Sequence, residues 1–221
     1  MALNLDQQIS TPAQPNLGSP TPTYDQGFMA TSFGSLNVYF QKLTALFAAI
    51  SGPRGGKWIN NPYGAFQDGT DQVAANTTTA YAITFDTTDF SNGVTLSNSS
   101  RLNVSQAGLY NLQFSIQFKN TTNDGQDVDV WFRKNGTNIA NSNSRFHVVA
   151  RKSTGDPSHM IAALNFFVNL AANDYIEIMW RPSDVGVSIE HFATSSSPTR
   201  PAVPSVIATI SFMSNLSTET A

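Results

Sequence analysis

The stretch GLYNLQFSIQF, residues 108–118, lies near the middle of a 221-residue chain and decides its fold class. From Tyr110 to Phe118 every second residue is large and apolar, and the residues between them are Asn, Gln and Ser. An alternation with a period of two is typical of a β-strand that has one face in a protein core and the other face outside it. The stretch therefore predicts a long strand in an antiparallel sheet.

Further segments with the same alternation lie on both sides of this strand, and turn residues separate them. Their apolar members are Tyr81, Ile83 and Phe85; Leu102 and Val104; Val128, Val130 and Phe132; Ala162, Leu164, Phe166, Val168 and Leu170; Ile176, Ile178 and Trp180; Val185, Val187 and Ile189; Val206, Ala208, Ile210 and Phe212. Asn135-Gly136 supplies the positive φ angles of a tight hairpin turn. Many short strands with no helix between them predict an all-β fold, an antiparallel jelly-roll sandwich, for a head domain of residues 58–221.

One amphipathic helix is predicted over residues 35–50. Ser35 is placed to act as its N-cap, and Ser51-Gly52-Pro53 is placed to end it. Its apolar stripe follows the alternating three- and four-residue spacing of a helix face and consists of Leu36, Tyr39, Leu43, Leu46 and Ile50. The stripe either packs against its own head or joins three copies of the chain. Under the second reading, residues 35–57 form a short trimerising helix with a Gly-rich linker.

The first 34 residues contain few large apolar side chains and are rich in proline. Each proline removes a backbone donor and pushes the preceding residue towards extended geometry. We therefore predict an extended N-terminal attachment arm over residues 1–34. Its predicted contacts with a larger assembly are Pro12, Pro15, Pro20, Pro22, Tyr24 and Phe28.

The composition argues against several functional classes. Charged residues make up 12% of the chain, and the few Lys and Arg residues are scattered, so no nucleic-acid surface is expected. The chain contains no cysteine, so a disulfide framework and a thiolate zinc site are excluded. No apolar run reaches membrane-spanning length, and no signal peptide is visible, so we expect no membrane partner and folding in a cytoplasm.

The three histidines do not predict a catalytic or metal site. His147, His159 and His191 lack the spacing of a metal-binding pair, and no thiolate is available to join them. We therefore interpret them as surface or interface hydrogen-bonding groups, and we predict no cofactor.

The carboxylates on the apolar strands are weak candidates for chemistry. Glu177 and Glu190 form a glycosidase pair only if the fold brings them across one cleft. Asp124, Asp127 and Asp129 cluster around a turn, and a bound calcium ion is conceivable there. No bidentate Glu follows at the EF-hand distance, so a solvated turn is the simpler interpretation, and no metal or catalytic residue is predicted.

Two aromatic residues fall out of phase with the buried set of their strands. Trp131 and Phe167 are expected to point away from the core, where large apolar groups would be exposed in a monomer. Closed rotational symmetry would cover these groups together with the helix stripe. The predicted trimer interface therefore consists of the helix stripe, Trp131 and Phe167.

Several motifs resemble the C1q/TNF-like jelly-roll superfamily when they are taken in order. Ala107-Gly108-Leu109-Tyr110 resembles the start of one conserved family strand, and residues 130–136 (VWFRKNG) resemble a family hairpin. Residues 170–176 (LAANDYI) resemble a family turn, with Asn173 where glycine is usual, and residues 207–212 resemble the closing strand. Residues 51–66 are similar to a segment of phage structural proteins, with cyanophage and other marine-phage virion proteins as the nearest likeness.

This resemblance implies a homotrimer located in a virion and assembled in the cytoplasm of a bacterial host. The expected function is a non-enzymatic fibre or decoration protein, anchored by its N-terminal segment to a phage capsid, portal or tail protein. The main alternative is a tail-fibre tip that binds a host receptor or surface glycan through the polar loops at residues 91–100, 120–127 and 141–145. A second alternative, a depolymerase-type enzyme, lacks a convincing acid pair.

Overall fold

A computed structural model of the chain describes residues 12–19, 22–51 and 61–214. The chain divides into two compact units, the first ending at Asn60 and the second beginning at Asn61. The predicted head boundary at residue 58 and most of the predicted linker lie outside the described residues. Pro20 and the side chain of Ile50 lie outside them as well.

The first unit contains helix α1, Gln26–Ser51, which is longer than predicted. Asp25 is the N-cap, because its Oδ1 accepts a hydrogen bond of 3.0 Å from the Phe28 amide. The predicted start at Ser35 is therefore wrong, and so is the extended arm over residues 26–34. The cap at Asp25 overrides the low helix propensity of the Gly, Ser and Thr residues that follow it.

The Pro-rich segment 12–19 contains neither helix nor strand and lies along α1. A Cβ atom on Gly18 would lie 3.5 Å from the Phe28 ring, and Gly18 has a φ of +70°, which favours glycine. Ala13 and Pro15 line one groove of about 420 Å³ together with Tyr39 and other residues of α1. This part of the predicted arm therefore contacts the chain's own helix.

The second unit is built of antiparallel strands, as predicted. The strands are β1 (Tyr63–Asp68), β2 (Gln72–Val73), β3 (Tyr81–Ala82), β4 (Thr87–Asn92), β5 (Val94–Ser97), β6 (Arg101–Val104), β7 (Gly108–Asn120), β8 (Gln126–Lys134), β9 (Thr137–Asn138), β10 (Ser144–Val148), β11 (Ser158–Leu170), β12 (Tyr175–Pro182), β13 (Val187–Ile189), β14 (Ser195–Ser196), β15 (Thr199–Arg200) and β16 (Val206–Ser214).

The strands form two sheets. In the first sheet, β7 pairs with β11 along one edge and with β16 and β13 along the other, and β1 and β4 follow β16. In the second sheet, β8 and β12 are central, with β10 and β9 beside β8, and β6 and β3 beside β12. Most successive long strands change sheet, which is the connectivity of a jelly roll. The predicted all-β jelly-roll class is confirmed.

The predicted alternation places the core between the two sheets. Tyr110, Leu112, Phe114, Ile116 and Phe118 are all buried on the inner face of β7. Trp180 is buried on the facing sheet, and its ring centroid lies 6.1 Å from that of Phe118. The largest side chains of both sheets therefore interdigitate, and burial of this kind is the main source of fold stability.

Two turn predictions agree with the backbone. Asn135 and Gly136 have φ angles of +49° and +82°, the left-handed pair that a tight hairpin between β8 and β9 requires. Asn173, predicted at a position where glycine is usual, has a φ of +70°. Asn adopts this conformation more readily than most other non-glycine residues, which explains its presence there.

Candidate functional site

The predicted helix stripe is only partly covered. Leu36, Tyr39, Leu43 and Leu46 are half-buried within the first unit. Phe33 and Phe40 are 62% and 58% exposed. The helix therefore carries a second apolar stripe that overlaps the predicted one, which Phe40 and Phe47 were already expected to widen.

This second stripe has the spacing of a coiled-coil seam. Its members alternate at intervals of four and three residues, and we call them the heptad seam: Met29, Phe33, Leu36, Phe40, Leu43, Phe47 and Ile50. At 3.6 residues per turn, the seam lies roughly opposite the face of α1 formed by Thr31, Ser35 and Lys42, which borders segment 12–19. The signal was present in the sequence, but the low helix propensity of residues 26–34 hid its first turns.

Phe167 lies on the outer face of the first sheet, as its phase predicts. It is 53% exposed, and on the same strand Ile161 is 62% exposed. The outward positions within residues 109–117 of β7, 161–169 of β11 and 207–211 of β16 form what we call the β11–β7–β16 face: Leu109, Asn111, Gln113, Ser115, Gln117, Ile161, Ala163, Asn165, Phe167, Asn169, Ile207, Thr209 and Ser211. None of these residues carries a charge. The outward positions Lys119 and His159 lie just beyond the end of the face.

One polar atom on this face has no partner among the described residues. The Oδ1 atom of Asn111 is buried and accepts no hydrogen bond there. Asn111 pairs with Phe167 of β11 and with Ser211 of β16. A buried acceptor without a donor costs free energy.

Charged groups mark one end of the face. Glu190 is bound by the Lys119 ammonium through Oε1 and by Nε2 of His159 through Oε2, the latter at 2.8 Å. All three groups are therefore engaged with one another at the boundary of the uncharged surface.

Trp131 lies on the outer face of the second sheet, away from Phe167. It borders a groove of about 310 Å³, which we call the Trp131 groove and whose other walls are polar except for one isoleucine. The residues that line the groove are Asp129, Trp131, Asn138, Ile139, Asn141, Asn143 and Arg181. The indole Nε1 donates a hydrogen bond of 2.9 Å to Asn138 Oδ1, which fixes the orientation of the ring.

A guanidinium holds the carboxylate of this groove in place. Arg145 donates from Nε to Asp129 Oδ1 at 2.9 Å and from Nη2 to Oδ2 at 3.2 Å. These hydrogen bonds hold the pKa of Asp129 below its ordinary value despite its burial. Arg181 lies farther away, with 3.9 Å between its Nη1 and Asp129 Oδ2, and its Nε donates to the Thr77 carbonyl at 2.8 Å.

One wall of the groove is a short loop anchored to β8. The buried Ser142 hydroxyl donates to the Ile139 carbonyl at 2.8 Å and accepts a hydrogen bond of 3.1 Å from the Phe132 amide. Asn141 has a φ of +59°, is exposed, and makes no side-chain hydrogen bond among the described residues. The loop is therefore fixed while two of its amide groups, on Asn141 and Asn143, border the groove.

The two glutamates considered for glycosidase chemistry lie on different sheets. Glu177 belongs to β12 of the second sheet and accepts a hydrogen bond of 2.7 Å from Ser100. Glu190 follows β13 of the first sheet, and its amide bonds to the Gln117 carbonyl of β7. They therefore do not flank one cleft. Asp129 is also too far from Glu177 to form a catalytic acid pair with it. Glu177 lies opposite Arg133 of β8, and Asp129 lies about 13 Å along the same strand from Arg133.

The histidines and the candidate calcium ligands are engaged elsewhere. His147 Nδ1 lies 2.8 Å from Asp127 Oδ1, and His191 Nδ1 lies 2.9 Å from Asp71 Oδ1. Within residues 12–19, 22–51 and 61–214, no three His, Asp or Glu side chains group as metal ligands. Of the predicted attachment residues in that part of the chain, Tyr24 is 83% exposed, whereas Phe28 is half-buried in α1.

No protein-family model and no curated protein matches the chain. Among the residues that the structure describes, no helix combines the length and the apolarity needed to cross a membrane.

Proposed function

We propose that the chain is a non-enzymatic structural protein of a bacteriophage virion, a homotrimeric fibre or decoration protein anchored through its N-terminal unit. The uncharged β11–β7–β16 face carries this proposal. Large apolar side chains lie on it among short amides and hydroxyls, and such a surface is poorly suited to permanent exposure. Another copy of the same chain is the occupant that we assign to it.

The chemistry of the face suits contact between copies. Phe167 and Ile161 supply apolar area, and Asn, Gln and Ser side chains supply hydrogen bonds that are not weakened by salt. No charge on the face has to be desolvated, so burial does not carry that cost.

The heptad seam supports association between copies of the chain independently of this face. Phe33 and Phe40 are exposed along one line of α1, and a period of 3.5 residues is the pattern by which parallel helices meet around an axis. Attachment to an associating head raises the effective concentration of the three helices and so favours their contact.

A cyclic trimer joins two different patches at each interface. Phe167 belongs to one of these patches in our proposal. We leave Trp131 out of the interface, although its phase suggested it, because Asp129 and Arg181 border it and would have to be desolvated together.

The non-enzymatic part of the proposal rests on the engagement of the titratable groups. Glu177 and Glu190 are each bound by other side chains and lie on separate sheets. The virion location rests on the resemblance of the motifs at residues 107–110, 130–136, 170–176 and 207–212 to trimeric jelly-roll heads, and of residues 51–66 to phage structural proteins. Exposed Tyr24, next to the start of α1, is the group that we assign to attachment.

The virion location is tested by labelling purified particles of the phage that encodes the chain. Gold-conjugated antibodies raised against the second unit are expected to decorate the head or tail at fixed positions in electron micrographs. A particle lacking the label, with the protein left in the supernatant of the lysate, would contradict the proposal.

A further inference from the structure

The Trp131 groove combines an oriented aromatic ring with planar polar groups in one concavity. The indole is fixed by its hydrogen bond to Asn138, and Asn138 also accepts a bond of 3.2 Å from Arg133 Nε. An aromatic face that is held in place and only partly covered is a platform for the apolar C–H face of a flat ring. The polar side chains beside it supply hydrogen bonds around the rim of such a ring.

A sugar ring in its chair form has this combination of properties. Its C–H bonds form an apolar face, and its hydroxyl groups point outward as paired donors and acceptors. Asn141 offers an amide that both donates and accepts, Asn143 offers its amide oxygen while its Nδ2 donates to Asp129 Oδ1 at 3.4 Å, and Asp129 offers a carboxylate that accepts. The volume of about 310 Å³ is enough for one or two such rings.

The charges in the groove distinguish acidic sugars from neutral ones. Arg145 already neutralises Asp129 through two hydrogen bonds. Arg181 Nη1 forms a long ion pair of 3.9 Å with Asp129 Oδ2, and its Nη groups make no hydrogen bond among the described residues, while its Nε donates to Thr77. Its Nη donors are therefore able to bind the carboxylate of a ligand.

We propose that the Trp131 groove binds an acidic pyranose, the hexuronic acid unit of a polysaccharide, with the ring stacked on Trp131 and the carboxylate on Arg181. The groove is formed within one chain, so this inference does not rest on the trimer or on the virion location. The fixed loop of Ile139–Asn143 means that little ordering entropy is lost on binding. The inference is one of binding and includes no chemical step.

The test is isothermal titration of the full-length chain with a tetrasaccharide of galacturonic acid and, separately, with a tetrasaccharide of galactose. We expect the acidic tetrasaccharide to bind with a dissociation constant of about 1 mM or below, and at least about tenfold more tightly than the neutral one. Binding of neither tetrasaccharide, or tighter binding of the neutral one, would overturn the proposal.

Variants assign the binding to this groove. Trp131→Ala and Arg181→Gln are each expected to weaken binding of the acidic tetrasaccharide about tenfold or more. Phe90→Ala, an exposed aromatic residue of β4, and Arg151→Gln, a surface arginine with the same loss of charge, are the matched controls and are expected to bind as the unsubstituted chain does.

Asn141→Gly tests binding at the groove even if Trp131→Ala does not fold. Glycine retains the positive φ of Asn141 and removes only its amide, so the loop is expected to remain in place while binding weakens. Undiminished binding by Asn141→Gly and Arg181→Gln together would place the sugar elsewhere and contradict the assignment.

Discussion

Phe167 of β11 lies directly opposite Asn111 of β7, and the side-chain oxygen of Asn111 is buried beside this pair without a hydrogen-bond donor among the described residues. The pair thus combines an exposed aromatic ring with an unused acceptor on a face that carries no charge. In our proposal a neighbouring copy of the chain covers the Phe167 ring.

Charges introduced on this face are expected to separate the copies. Phe167→Asp and Ile161→Asp each place a carboxylate where the proposed contact is apolar, and burying an unpaired charge is costly. We expect the double variant to be monomeric by sedimentation equilibrium at concentrations where the unsubstituted chain is trimeric. Val185→Asp, which alters a residue of similar exposure outside this face, is the control and is expected to stay trimeric.

The heptad seam is expected to stabilise the assembly and not the isolated head. Phe33→Ser and Phe40→Ser remove apolar area worth about 2 kcal/mol per side chain if the seam is buried between helices. We expect a lower thermal midpoint that depends on protein concentration, with the neighbouring Gln41→Ser as the control. Equal midpoints for the Phe40 and Gln41 variants would show that the seam is not covered.

The buried Tyr110 hydroxyl is expected to lower the stability of the head at alkaline pH. Burial raises the pKa of Tyr110 to about 12, although its hydroxyl donates a hydrogen bond of 2.7 Å to the Gln106 carbonyl. In the unfolded chain the same hydroxyl titrates near pH 10, so its contribution to stability is complete below that pH and is lost as the pH rises towards 12. Urea titrations of Tyr110→Phe are expected to show a shallower loss of unfolding free energy over this range than those of the unsubstituted chain.

Because Arg145 binds Asp129, the pair is expected to stabilise the head at neutral pH and to lose this effect at acid pH. The pKa of Asp129 is depressed in the folded chain, so its contribution is present above the ordinary carboxyl pKa and is lost as the pH falls through the lower folded value. Arg145→Gln is expected to destabilise the head at pH 7 and to matter less in acid. Arg151→Gln, which removes an arginine bound to neutral Asn123, is expected to show no such pH dependence.

The loop beside Trp131 is expected to depend on one hydroxyl. Ser142→Ala leaves the buried Phe132 amide without its acceptor, at a cost of about 1–3 kcal/mol in unfolding free energy. Ser144→Ala, two residues away and without a side-chain hydrogen bond among the described residues, is the control. Chemical denaturation distinguishes the two, and equal stabilities would contradict the anchoring role of Ser142.

The sequence predicted the β unit well because its signals are local and repeated. The alternation from Tyr110 to Phe118 determines which side chains are buried, and the Asn135-Gly136 turn determines where β8 ends. The outward direction of Trp131 and Phe167 followed from the same period of two. The pairing of strands that lie far apart in the sequence could not be predicted. Only the structure therefore shows that Trp131 and Phe167 lie on opposite sheets.

The helix and the groove were harder to predict for different reasons. Residues 26–34 contain weak helix formers, and only the cap at Asp25 extends the helix back to Gln26. The Trp131 groove joins β8, β12 and the loop at residues 139–143, and no spacing in the sequence relates Arg181 to Asn141. The polar loop at residues 141–145 was predicted to be a candidate glycan contact, whereas Trp131 was predicted to lie in the trimer interface.

The mass of the full-length chain in solution tests the central claim most directly. Light scattering coupled to size-exclusion chromatography is expected to give about 72 kDa, three copies of the 23.9 kDa chain, and one copy for the Phe167→Asp/Ile161→Asp variant. A single-copy mass for the unsubstituted chain across the micromolar range would contradict the claim that its uncharged face is covered by other copies of itself.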